Sequence, residues 1–306
     1  MGEWKDEWKI DATKFQNQLG ELATTIAYKV QREGGDLIRS RTAAEDIYIM
    51  VRLAQRAYDL FFYLNAEEHR KNPSWRAYYT FVVLPVIRSM IDYLYNITVM
   101  LEEPRIKPAE FRRSGYRMAF EALDEDEQKY ANNPDPRWAE WFKKRRGHLE
   151  LGLRRDGFKF DEVMAQNKWP TLSGYLRLKK GVASTEHQRF LRSLTYGYWR
   201  EYSDYAHGTF QGLMRTAMPY LEHDLPHEER PKLEEASLKD IFHHMTRASA
   251  VLLCILTELQ AFFRFDGARI NERLRDVWAA LLPAPDVKDL HDLRYAQLMK
   301  EKGISS

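Results

Sequence analysis

The segment 198–208 carries an arginine, a hydroxyl and a histidine at helical spacings, and it is where the chain is expected to keep its chemistry. At about 100° per residue, Arg200, Ser203 and His207 lie together on one face of a helix. A histidine exchanges a proton near neutral pH, and an arginine supplies a permanent positive charge. An apolar stripe lies on the opposite face, formed by Leu191, Leu194, Tyr198, Tyr202 and Tyr205. The pattern predicts a helix that buries one side and presents a reactive side.

His207 and Ser203 also have simpler interpretations. His207 comes just before Gly208, a usual residue past a helix end, so a solvent-exposed histidine favoured by the helix dipole fits equally well. Ser203 fits either a surface position or a local bond to its own helix. These alternatives stay open at this point.

A second chemical pair lies in the most apolar early helix, predicted over 75–102. Arg88 and Asp92 are four residues apart on its narrow polar sector, and Pro85 marks either a kink or the first turn. Burying either charge alone would cost several kcal/mol, so each needs a partner. The simplest expectation is that the two pair with each other within the helix.

The apolar run 248–263 contains one ionisable carboxylate, Glu258. We expect it to neutralise an arginine such as Arg88 or Arg247; a role as a base is the alternative. Cys254, the single cysteine, is expected to be a small buried hydrophobe. The run is shorter than the roughly 20 residues of a membrane span, and the N-terminus lacks a secretory pattern. The sequence therefore predicts a cytoplasmic protein without a membrane segment.

The elements that must position these residues are all helical by pattern. Apolar residues recur at helical spacing, with nothing typical of alternating strands, which predicts an all-α bundle of about 8–10 helices. Two halves of one bundle are expected, at 1–136 and 184–306, separated by an insertion of short helices at 137–183. The predicted helices cover 15–30, 42–64, 75–102, 109–130, 184–207, 209–221, 238–265 and 270–282. The helix at 238–265 begins at a cap formed by Ser237 and Asp240, and a charged tail follows the final helix.

The insertion is basic, although the whole chain has a formal charge of only +2. Between Arg137 and Lys180 there are 12 Lys and Arg against 5 Asp and Glu, interleaved with tryptophans. Such a surface could bind RNA or single-stranded DNA, and a solvated face over a partly buried aromatic layer is the alternative. The candidate nucleic-acid contacts are Lys143, Lys144, Arg145, Arg146, Arg154 and Arg155.

The arginine and histidine separated by six residues, Arg200 and His207, resemble the R-x(4–6)-H motif of HEPN domains. These are small helical bundles that often act as metal-independent ribonucleases. The resemblance implies a homodimer in which His207 is the acid–base group and Arg200 holds the phosphate. The residue after the arginine is Glu201, whose charge would repel a phosphate.

A broader resemblance joins the segments Val86–Asp92 and Tyr202–His207. They look like a widespread bacterial helical family without an assigned function, which has Arg-x-x-x-Glu/Asp early and Ser-x-x-x-His at a later helix end. The resemblance implies an all-helical bundle in which Arg88, Asp92, Ser203 and His207 lie near one another. It implies no activity.

Two other classes remain alongside the nucleic-acid hypothesis. Asp204 with His207, and Asp240 with His243, each place a carboxylate and an imidazole on one helix face, as in carboxylate-bridged metal bundles. A non-catalytic interaction module with a protein partner is the third class. The chain lacks GxGxxG, GK[ST], GxSxG, HExxH and paired CxxC motifs, so no cofactor is expected. The preferred hypothesis is an RNA-binding or RNA-cleaving homodimer with a cluster of Arg88, Asp92, Arg200, His207 and Glu258.

Overall fold

The computed structural model describes residues 12–64, 73–178, 185–207, 209, 212, 230–265 and 268–304, with 12–14, 64, 73–83 and 230–241 given by their backbone alone. Every regular element in these ranges is helical, which confirms the all-α prediction. The predicted helix at 209–221 lies outside the described residues, apart from its positions 209 and 212.

The N-terminal helices follow the predicted pattern closely. They are α1 (Ala12–Lys29), α2 (Arg41–Leu64), α3 (Pro73–Glu102) and α4 (Lys107–Tyr130). The first was expected to end before Gly34; instead a π-helical turn at Val30–Gly34 and a short helix at Gly35–Ile38 continue it. Pro85 lies in the interior of α3, so it is not a first-turn residue.

The middle of the chain forms shorter helices. These are α5 (Pro136–Arg155), α6 (Phe160–Ala165), α7 (Leu172–Leu178) and α8 (Glu186–Leu194). Thr185 caps α8, and Gln188 closes the reciprocal capping bond. A π-helical turn, Thr195–Trp199, then leads directly into α9 (Arg200–Ala206).

The C-terminal part differs from the prediction at both ends. It contains α10 (Arg230–Phe263), α11 (Ala268–Leu281), α12 (Pro285–Leu290), a π-helical turn at His291–Tyr295 and α13 (Ala296–Glu301). The cap predicted at Ser237 and Asp240 is wrong, because α10 begins seven residues earlier, at Arg230. Pro231 fits there, since a first-turn residue needs no amide hydrogen.

The predicted charged tail is a packed helical segment. Tyr295 is fully buried, and Met299 and Ile304 are almost so. Its charged residues lie between these apolar positions, which is why the composition resembles a solvated tail. Val287, Leu290, Tyr295 and Met299 recur at helical spacing and bury one face on the bundle.

Helices α3 and α10 form the centre of the main core. Residues 248–261 of α10 are buried without interruption. The stretch Phe242–Phe263 is long and apolar enough to cross a membrane by length and composition alone, and 89% of its most apolar window is buried inside this fold. Packing within the bundle accounts for its composition.

A second, smaller core lies under the basic segment. Phe120 of α4, Leu153 of α5 and Val163 of α6 form it. Leu172 and Tyr175 of α7 belong instead to the main core. Helices α5 and α6 therefore pack on α4, and only the later part of the basic segment joins the main bundle.

One arginine ties the smaller core to the bundle. Arg112 of α4 donates two hydrogen bonds to Asp46 of α2, at 2.7 and 2.9 Å, and one to Asp156 at 2.5 Å. Asp156 is buried just after α5 and also accepts from the Tyr116 hydroxyl at 2.9 Å. The orientation of α5 is thus fixed by a charge-assisted network.

Candidate functional site

Arg88 is the centre of an interior polar cluster. Its side chain is largely buried on α3, and its Nε–H donates to Ser203 Oγ over 2.8 Å. Ser203 is itself buried on α9. The bond joins helices that are far apart in the chain, and it gives the buried guanidinium a fixed direction.

Asp92 and Trp199 complete the interior cluster. Asp92 forms an ion pair with Arg88 within α3, as the four-residue spacing predicts. The Arg88 guanidinium carbon lies 4.3 Å from the centre of the Trp199 ring, and Trp199 Nε1 donates to Asp92 Oδ1 at 3.4 Å. Burial raises the pKa of the Asp92 carboxyl, and the Arg88 charge opposes that rise only in part. The arginine is held on three sides, by a carboxylate, an indole ring and a hydroxyl.

The π-helical turn before α9 explains why Ser203 is buried. A π turn inserts one residue into the helix, which rotates every later side chain by about 100° from the α-helical count. The predicted face contained Arg200, Ser203 and His207; after the extra residue, Ser203 joins Tyr202 on the buried side. Arg200 and His207 stay exposed.

Arg200 and His207 form a separate surface pair at the two ends of α9. Both side chains are exposed, and neither makes a hydrogen bond or an ion pair with the described part of the chain. The His207 backbone amide donates to Ser203 O at 3.0 Å and ends the helix. The sequence-predicted cluster is therefore two groups, one interior around Arg88 and one on the surface.

Glu201, the neighbour of Arg200, is held by an inner arginine. Arg247 of α10 donates to Glu201 at 2.6 Å and to Asp286 at 2.9 Å, and its guanidinium lies 4.7 Å from the Tyr198 ring centre. The Arg247 charge is shared between Glu201 and Asp286, so it offsets part of the negative charge of Glu201. This reduces the repulsion that it would exert on a phosphate at Arg200.

Glu258 belongs to neither group. Its carboxylate accepts two hydrogen bonds from Arg294, at 2.5 and 2.9 Å, and a third from the Tyr295 hydroxyl at 3.1 Å. The prediction that an arginine neutralises Glu258 is confirmed, but the partner is Arg294 and neither Arg88 nor Arg247. Burial raises the pKa of the nearby Cys254 thiol, which keeps that side chain an inert part of the core.

The solvent face of α5 carries the basic residues. Between Pro136 and Arg155 there are seven Lys and Arg against two Asp and Glu, a surplus of five. Arg146 is bound by Asp124 and Glu127 of α4, at 2.6 and 2.8 Å, and Arg155 contacts Asp156 at 3.2 Å. Arg137 pairs with Asp135 at 2.6 Å. The remaining four are exposed and form no ion pair with the described residues: Lys143, Lys144, Arg145 and Arg154.

The carboxylate–imidazole pairs considered for a metal site do not form a ligand set. Asp204 accepts from the Thr209 hydroxyl at 3.2 Å, while His207 is exposed. His243 Nδ1 lies 3.9 Å from Asp286, and the side chain of Asp240 is outside the described part. Among the described side chains, no three of His, Cys, Asp and Glu are placed to share a metal ion.

A polar trio at the end of α3 was missed by the sequence reasoning; its histidine and tyrosine are buried, while Glu102 stays partly exposed. Glu102 contacts His187 Nδ1 of α8 and accepts from the Tyr175 hydroxyl of α7 at 2.9 Å. Its three members are distant in sequence and show no motif. The trio fastens α7 and the first turn of α8 to the end of α3.

Comparison with family models, with curated proteins and with solved structures finds no match to this chain. Its function is therefore inferred from the arrangement of its own residues.

Proposed function

We propose that this protein binds RNA through the solvent face of α5. The observation that carries the proposal is the group of four exposed, unpaired cations, Lys143, Lys144, Arg145 and Arg154, in the described structure. Cations without an internal partner are free to replace the counterions of a nucleic-acid backbone. The neighbouring Trp141 is 47% exposed, so an aromatic surface lies beside the charges.

The anchoring of α5 supports the same proposal. Arg146 is committed to α4, and Arg112 fixes Asp156 at the C-terminal end of α5. The helix is consequently rigid beneath its exposed cations, and binding does not have to pay for ordering it.

The test compares the RNA affinity of a variant that lacks two charges of α5 with that of a variant that lacks two charges elsewhere. Lys144→Gln/Arg145→Gln changes two exposed, unpaired residues; Lys300→Gln/Lys302→Gln is the matched control near the C-terminal end. Affinity for a fluorescent single-stranded RNA is measured over a salt series. The α5 variant should reduce the slope of log affinity against log salt by about 1.4, because each lost phosphate contact removes about 0.7. Equal slopes in the two variants, or no binding by the unaltered protein at low salt, would overturn the proposal.

RNA cleavage by Arg200 and His207 is a second candidate. Its specific support is that both side chains are exposed on one short helix, without partners in the described chain, while Glu201 is ion-paired with Arg247. His207 would transfer the proton and Arg200 would hold the phosphate, within a homodimer of the kind that the HEPN resemblance implies.

A His207→Ala variant tests the cleavage candidate. The expected result is a loss of about 100-fold or more in cleavage rate, with RNA affinity and salt slope unchanged, because α9 and α5 are separate surfaces. A chelator should leave the rate of the unaltered protein unchanged. A His207→Ala protein that cleaves an RNA panel as fast as the parent would rule out the role of His207 and leave binding at α5 intact.

A further inference from the structure

A cavity of about 460 Å³ opens where α4 turns into α5. Its wall is aromatic: Tyr130 and Trp138 are stacked, with ring centres 4.4 Å apart and planes 14° apart, and Phe142 lies 6.0 Å from Trp138. The volume lies within the range of about 300–1,000 Å³ typical of small-molecule sites. A layered aromatic wall of this kind offers a surface for a flat ring.

The charges around the cavity are internally compensated. Glu127 is bound by Arg146 at 2.8 Å, and Asp135 is bound by Arg137 at 2.6 Å. Lys143 is the cation in the described lining that lacks such a partner. A neutral ring can enter without bringing a phosphate inside, while the phosphate stays near Lys143 at the edge.

Two polar groups of the lining remain available to a ligand. Asn133 Oδ1 already accepts the Asp135 amide at 3.0 Å, which leaves both amide hydrogens of the Asn133 side chain without a partner in the described chain. The Trp138 indole N–H likewise donates to no described residue. Both could donate to the acceptor edge of a base.

We propose that this cavity binds an unpaired nucleobase of an RNA strand that lies along α5. The inference rests on the proposed RNA binding and names its substrate class: single-stranded RNA with an accessible base. The base stacks on the aromatic wall, and the backbone follows the exposed cations from Lys143 toward Arg154. A fully paired duplex presents no such base, so its binding gains nothing from the cavity.

The experiment compares octauridine with an octamer of the same length and charge that lacks its central bases. Binding is measured by anisotropy for the unaltered protein, for Trp138→Ala and for Tyr28→Ala. The last is the control, because Tyr28 is an exposed aromatic residue of α1 that does not line the cavity. The intact strand should bind about tenfold more tightly than the abasic strand. Trp138→Ala should lose that preference, and Tyr28→Ala should keep it.

The outcomes separate the cavity from the basic surface. If the unaltered protein binds both strands equally, the base site is overturned and RNA binding at α5 stands. If it binds neither strand, both proposals fall. Far-ultraviolet circular dichroism checks the fold of each variant. The comparison of the two strands uses the unaltered protein alone. It therefore tests the base site even if Trp138→Ala does not fold.

Discussion

The Arg88 Nε–H donates to Ser203 Oγ over 2.8 Å between positions 115 apart in the chain. Both side chains are largely buried, so water cannot replace either partner if the other is removed. The pair fixes α9 on α3, and α9 in turn presents Arg200 and His207 at the surface.

Ser203→Ala tests the strength of that link. It should lower the free energy of unfolding by about 1.5–3 kcal/mol, because a charged buried donor loses its acceptor. Urea denaturation measures the change. Ser193→Ala is the control, since that half-buried hydroxyl on α8 bonds to no described residue; it should change stability by less than about 0.5 kcal/mol. Equal losses in the two variants would contradict the expectation.

Glu258→Gln tests the anchor of the C-terminal helices. The substitution leaves the buried Arg294 without its counter-charge and should destabilise the protein by about 3 kcal/mol or more. The double variant Glu258→Gln/Arg294→Gln should recover part of that loss, because it removes the uncompensated charge. A double variant that loses as much as the two single changes added together would show that the pair is not coupled.

Acid sensitivity should depend on Asp156. Burial would raise the pKa of this carboxyl, but hydrogen bonds from Tyr116 and the Arg112 charge outweigh it and hold the pKa below its usual value of 3.8. A lowered folded-state pKa contributes stability above the ordinary pKa, and this contribution is lost as pH falls through the lower value. Asp156→Asn should therefore be less stable at neutral pH and lose less stability between about pH 5 and pH 3. Urea denaturation midpoints of the unaltered protein and of Asp156→Asn over that pH range measure the difference in stability. Parallel pH profiles of the two proteins would contradict the expectation.

Two glycines of α5 should respond oppositely to alanine. A Cβ at Gly147 meets nothing within 4 Å, so Gly147→Ala should stabilise the helix by about 0.5–1 kcal/mol. A Cβ at Gly152 would lie 2.7 Å from the Tyr116 hydroxyl, which binds Asp156. Gly152→Ala should therefore lower the melting temperature, and Gly147→Ala should raise it. A shift in the same direction for both would refute the close contact at Gly152.

Helix periodicity was sufficient to predict the bundle, because apolar spacing reflects burial directly. The bounds of α2, α3, α4 and α11 agree with the predicted ones within a few residues. The Arg88–Asp92 pair was also predictable, since its spacing is local.

Long-range and register-dependent features were not predictable in this way. The partner of Glu258 is Arg294, in a segment that the sequence predicted to be a charged tail. The burial of Ser203 depends on the π turn at Thr195–Trp199, whose residues have no signature that separates it from an α-helix. The cavity beside Trp138 lies between the end of α4 and the start of α5, and the helical pattern of either helix does not indicate how their ends pack.

The π turn at Thr195–Trp199 also affects how such a chain can diverge. A homologue lacking one residue there would retain an unbroken helix, and everything after the deletion would turn by about 100°. Ser203 would leave Arg88, and Arg200 and His207 would move together to another side. Length variation at this one place would therefore relocate the whole surface pair at once, whereas substitutions would have to change its members separately.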